Sequence, residues 1–172
     1  VPSEGDATLS SHMGDINLLI PSGSLGTNKT ITLAPNSSSL HTHSRVYAEV
    51  DPAFTLDVTD TAQLMSGISE TQISTVFTKP VSVTINYPDP VLQNHYSVIG
   101  NPLPISEETI QLFFWNSTLN DWENASQTCS APSIQTLDIG ANTVTVQICQ
   151  SGEYALIAKI FRPLYLPVII KP

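Results

Sequence analysis

Apolar and polar residues alternate with a period of two along most of this chain. No stretch of comparable length follows the 3.6-residue period of a helix. The alternation is clear at residues 29–33, 46–50, 81–86 and 143–148, and apolar runs at 16–20, 110–115 and 154–158 read as further strands. A return strand through Trp122 follows the turn at 116–121, and 133–137 forms the first arm of a hairpin around Gly140. Gly, Pro, Asn and Asp punctuate the intervals, and most of the thirteen prolines fall between the runs, where they break no ladder. The expected fold is all-β: an antiparallel β-sandwich of Ig-like, Greek-key type with one disulfide-linked hairpin. The only candidate helix is a short piece around 60–65, and the proline-bearing stretch 89–108 reads as a surface excursion. At 172 residues the chain suits a single sandwich, expected over 1–160, followed by an apolar strand over 161–172.

Cys129 and Cys149 lie nearly equidistant from the turn at 138–142. An antiparallel pairing about that turn brings them face to face, and a disulfide follows. Closing such a loop stabilises a fold by roughly 3 kcal/mol in the chain-entropy account and implies an oxidising compartment. The competing reading is a pair of buried free thiols in a cytosolic protein. Composition favours export: charged residues are only 12% of the chain, and Ser, Thr and Asn supply the polarity. The net charge is −9 and the six basic residues form no cluster, so the footprint of a nucleic-acid or anionic-lipid partner is missing. No run approaches the ~18 apolar residues of a membrane-spanning helix. The start at Val1 reads as a mature chain whose export signal has been removed. Asn-x-Ser/Thr sequons at Asn28, Asn36, Asn116 and Asn124 are candidate glycosylation sites in a host that glycosylates. The expected location is extracellular or cell-surface.

Several motifs in order resemble a known superfamily. Ile20-Pro21-Ser22-Gly23-Ser24-Leu25, then Lys29-Thr30-Ile31-Thr32-Leu33, is similar to the opening of a β-sandwich domain of netrin receptors, tight-junction scaffolds, ankyrins and bacterial surface proteins. Phe77-Thr78-Lys79-Pro80-Val81 resembles its next strand. Trp122, Cys129, Cys149 and Tyr154-Ala155-Leu156 resemble the end of the related autoproteolysis-inducing domain of adhesion receptors. The resemblance spans about residues 7–158 and implies the same sandwich. In self-cleaving members a His activates a Ser or Thr two residues later for attack on its own peptide bond. Here Gln150 and Gly152 stand at those positions, so the resemblance implies no self-cleavage.

Other groupings are weaker. His41-Thr42-His43 places two imidazoles on one face of an extended segment but lacks a third ligand; a solvent-facing loop pair is the simpler reading. Asp51, Asp57 and Asp60 lack the glycine and dense alternate carboxylates of a calcium loop. Glu107 and Glu108, adjacent on an extended chain, point to opposite faces and suit a solvated loop end. No nucleophile, base and orienter come together, so no catalytic residue, metal or cofactor is expected. Phe113, Phe114, Trp115 and Trp122 share one hairpin. They form either a core aromatic cluster or, with Trp115 and Trp122 exposed, a sugar-stacking platform.

The tail is apolar on both strand faces: Leu164, Tyr165, Leu166, Val168, Ile169 and Ile170 flank Pro167. It resembles the Tyr-Leu-Pro-aliphatic ends of surface proteins of some filamentous bacteria. Either it is a strand of its own sandwich, or it adds to a neighbouring subunit. The resulting expectation is a non-enzymatic structural subunit of an extracellular filament or sheath, self-associating by strand addition. The alternative is an adhesive or glycan-binding module of a secreted surface protein.

Overall fold

A computed structural model describes residues 5–26, 29–36, 39–41, 47–60, 75–89 and 105–160. The expected helix beyond Asp60, most of the 89–108 stretch, Asn28, His43 and the tail 161–172 lie outside the described residues. Among the described residues ten strands are formed: β1 (Ala7–Ser10), β2 (Ile16–Ile20), β3 (Lys29–Asn36), β4 (Tyr47–Asp60), β5 (Val76–Asn86), β6 (Gln111–Asn116), β7 (Asp121–Asn124), β8 (Thr136–Asp138), β9 (Thr143–Gln150) and β10 (Gly152–Lys159). They make two five-stranded antiparallel sheets, β1-β2-β5-β9-β8 (sheet A) and β3-β4-β10-β6-β7 (sheet B). Strands remote in sequence become neighbours as the chain crosses between sheets, the Greek-key manner of a sandwich.

Alternation puts one apolar row of each strand into the shared core. Sheet A contributes Ile16, Leu18, Ile20, Val81, Val83, Ile85, Val144, Val146 and Ile148; sheet B contributes Val50, Phe54, Leu56, Leu112, Phe114, Tyr154 and Leu156. Burial of each large side chain is worth ~1.5–3 kcal/mol, which makes this layer the main source of stability. Phe54 stacks on Tyr154 at 5.1 Å, and Phe114 lies 5.3 Å from the same ring. The Tyr154 hydroxyl satisfies itself by donating to the Gln150 carbonyl at 2.6 Å. Burial pushes its phenol well above the usual range.

Two expectations change in detail. The strand at 46–50 continues to Asp60, and it accommodates Pro52 through a register shift opposite Ala155 and Leu156. A bulge of this kind is where a strand tolerates proline. The hairpin around Gly140 forms, but its first arm is only three residues long, and Cys129 is not on it. The β8–β9 register, extended, would set Pro132 opposite Cys149. Cys129 instead caps a short 3-10 turn (Ala125–Thr128) that folds back along β9. The disulfide Cys129–Cys149 is formed, with Cα atoms 4.8 Å apart. Around it, side chains supply what the short strand omits. The Cys149 N–H donates to Thr128 Oγ1 (3.0 Å), and the Ser133 hydroxyl donates to the Gln147 carbonyl (2.9 Å). The stapled segment therefore covers the half of the β9 edge that β8 leaves open.

Candidate functional site

The departure from alternation locates the site. In β10, six consecutive residues, Glu153 to Ala158, are buried. A strand buried on both faces needs cover on its outer side as well as on the core side. On the outer face of sheet B, Ala53, Ala155 and Ile157 form a second apolar cluster, with Tyr47, Phe113 and Trp122 packed against it. The aromatic hairpin is thus divided. Phe114 enters the core, while Phe113, Trp115 and Trp122 stand half-buried on the outer face, so a single core cluster does not form. Trp115 and Trp122 are directly opposite across β6 and β7, with ring centroids 5.5 Å apart in an edge-to-face arrangement.

A short strap crosses this end of the face. His41 lies flat on Trp115 at 3.8 Å with the rings 12° from parallel, and edge-on to Trp122 at 6.4 Å. It donates from Nδ1 to Glu153 Oε2 at 2.6 Å, and the Leu40 N–H donates to Glu153 Oε1 at 2.6 Å. The Ser39 N–H donates to Glu49 Oε1 at 2.6 Å, and the Ser39 hydroxyl lies 2.8 Å from Glu49 Oε2. Glu153 is only 7% exposed. A carboxylate so buried requires charged or N–H partners, and the strap provides them. His41 is thus a packed, hydrogen-bonded residue, stacked on Trp115 and tied to Glu153. Among the described residues, no three His, Cys, Asp or Glu side chains are grouped to hold a metal ion.

Farther along the same face, Tyr47, Phe113 and Ile157 line a cleft of about 300 Å³ with Glu108, Thr109, Gln111 and Lys159. Glu107 and Glu108 belong to a 3-10 turn (Glu107–Thr109) rather than to an extended segment. Glu107 accepts from the Tyr87 hydroxyl at 3.0 Å, and burial together with that neighbouring carboxylate raises the Tyr87 phenol. Thr109 Oγ1 accepts from the Lys159 N–H at 2.8 Å and donates to the Ser106 carbonyl at 2.6 Å, fixing the turn against β10.

The described sequon asparagines all have local structural work. Asn36 Nδ2 donates to Thr55 Oγ1 (3.0 Å), Asn116 Nδ2 to Glu123 Oε2 (2.8 Å), and Asn124 Nδ2 to Gln111 Oε1 (2.8 Å). Asn116 Oδ1 also accepts from the Thr118 and Leu119 N–H groups, and Asn124 Oδ1 caps the following 3-10 turn through Ser126. Gly152, where the resemblance to self-cleaving domains would put a Ser or Thr, adopts φ +145°. A Cβ there would sit 2.7 Å from Phe114 Cε2, so the Ser or Thr of such domains has no room in this packing.

Tyr47, Glu49 and Glu153 were not evident as site residues from the sequence. The usable signal was Glu153 itself, a carboxylate opening a continuous apolar strand, which must find donors. No family model and no curated protein matches the chain.

Proposed function

We propose that the chain is a non-enzymatic, extracellular attachment module, adhesive or glycan-binding, that works through the outer face of sheet B. The observation that carries the reading is a set of aromatic side chains outside the core on one face of sheet B, with Phe113 and Tyr47 beside a cleft and the Trp115–Trp122 pair next to them under His41. Aromatic side chains grouped on an exterior sheet face are a means of contact, because the core already has its own. The disulfide and the charge-poor, hydroxyl-rich composition support an oxidising, extracellular setting. Among the described residues no helix is long and apolar enough to cross a membrane. The test is retention on an array of plant, fungal and bacterial glycans, with sedimentation of the purified, oxidised protein in parallel. A small soluble species retained on a defined glycan set supports the reading. Large assemblies with no glycan retained would overturn it.

A second reading, a structural subunit of a surface filament or sheath, is favoured by the composition of residues 164–170, apolar on both strand faces. Deleting 163–172 is expected on that reading to abolish assembly while the sandwich stays folded, measured by sedimentation and circular dichroism.

A further inference from the structure

We infer that the binding position for a neutral sugar ring is the Tyr47–Phe113 cleft and not the tryptophan pair. The inference rests on the attachment-module reading and names its ligand class and place. The stacking side of Trp115 is already taken: His41 lies parallel to it at 3.8 Å and is held there by Glu153. A sugar at that spot would have to displace a ring already stacked and hydrogen-bonded.

The cleft lacks such an occupant among the described residues. Its volume of about 300 Å³ is at the small end of ligand sites. Its apolar surfaces are the Phe113 and Tyr47 rings and the buried Ile157 side chain. Its polar groups differ in kind: the Glu108 carboxylate accepts, the Lys159 ammonium donates, and Gln111 has its Oε1 engaged by Asn124 while its amide nitrogen remains to donate. Among the described residues Lys159 and Glu108 are not paired with each other; the ion pair on this face is His41–Glu153. A pyranose has the matching form, with an apolar C–H face for the aromatic rings and hydroxyls around its edge that both donate and accept. One carboxylate and one ammonium leave the rim without net charge. The rim therefore has no excess charge to favour a charged sugar over a neutral one, and the chain's net charge of −9 repels a polyuronate.

The experiment titrates the intact protein with cellohexaose, mannohexaose, xylohexaose and chitohexaose, and with oligogalacturonate of the same length. Calorimetry gives affinity and amide chemical shifts give position. The expected result is binding of at least one neutral hexamer and not of the uronate. Shifts should be centred on Gln111, Phe113, Ile157 and Lys159, with the two tryptophan indole signals moving less. Gln111→Ala and Lys159→Ala, both at exposed positions, should each weaken binding tenfold or more, and Trp115→Phe should change it less than twofold. Loss of binding in Trp115→Phe with retention in the cleft variants would overturn the inference while leaving the attachment reading in place. Failure of every neutral hexamer to bind would overturn the inference outright, and retention on the glycan array decides the attachment reading separately.

Discussion

The outer faces of the two sheets are built from the same alternation and end up opposite in character. On sheet A, cross-strand neighbours form the row Ser10, Asn17, Thr84, Thr145 and Thr136, flanked by Ser82 and Gln147 on one side and by Asn86, Thr143 and Asp138 on the other. These positions are exposed or half-exposed, and their contacts are hydroxyl and amide hydrogen bonds such as Thr84 to Thr145 at 3.2 Å. On sheet B, the corresponding face holds Ala53, Ala155 and Ile157 under aromatic rings, with a buried carboxylate at its end. The difference lies in the central strands. β5 and β9 keep polar residues outward at Ser82, Thr84, Asn86, Thr143, Thr145 and Gln147, whereas β10 is apolar both inward and outward from Ala155 to Ala158. A face that satisfies water needs no cover; one that does not must be packed, and its packing creates a shaped surface.

The two faces also depend on different fasteners, and the largest expected effect tests this. Replacing both cysteines, Cys129→Ser with Cys149→Ser, should cost about 3 kcal/mol of stability in urea unfolding. Amide exchange should accelerate most at Gln147 and Cys149, on the sheet A edge that the stapled segment covers, and least at Ala155 and Ile157. A loss below about 1 kcal/mol, or acceleration centred on β10, would show that the staple does not distinguish the two sheets.

Sheet B should instead respond to its carboxylate. Glu153→Gln removes a charged acceptor from the Leu40 N–H and from His41 and leaves an amide hydrogen-bonding in its place. The expected destabilisation is about 1–2 kcal/mol, smaller than that of the disulfide. Both tryptophans of the chain, Trp115 and Trp122, lie in this cluster, so intrinsic fluorescence reads the strap directly. Loss of the His41 stack should raise emission from Trp115, and His41→Ala should produce the same change without further effect from Glu153→Gln. Unchanged spectra in both variants would mean that the strap does not shield Trp115 in solution.

Much of this contrast was legible beforehand, for a physical reason. Where the outward face is solvated, as at 81–86 and 143–148, period two survives in the residues themselves, and the strands, their inward rows and sheet A's hydroxyl face follow from it. Where both faces are covered, alternation disappears. Residues 154–158 and 112–115 mark strands without saying which residue faces which way, so the split of Phe114 from Phe113 and Trp115 required the β6–β10 register. His41 and Glu153 are 112 positions apart, and no local pattern joins them. The disulfide was correctly paired although its supporting geometry differed. Symmetry about Gly140 brought the right cysteines together, while the 3-10 turn before Cys129, which absorbs the register offset, has no periodic signature.

The smallest expected effect concerns the sheet A face and completes the contrast. Thr84 and Thr145 are a cross-strand pair, half-exposed, whose hydroxyls bond to one another at 3.2 Å. Changing both to Val removes donor and acceptor together, so no buried group is left unsatisfied, and the shape of the β-branched side chains is kept. Valine suits a strand as well as threonine does. The double variant should therefore match the parent within about 0.5 kcal/mol in urea unfolding. Its oligosaccharide binding and tryptophan emission should be unchanged, because neither depends on this face. A loss greater than about 1.5 kcal/mol would show that the hydroxyl row is a cooperative network rather than a solvated surface. Loss of glycan retention would move the contact face from sheet B to sheet A, because these two hydroxyls touch nothing on the aromatic side of the sandwich.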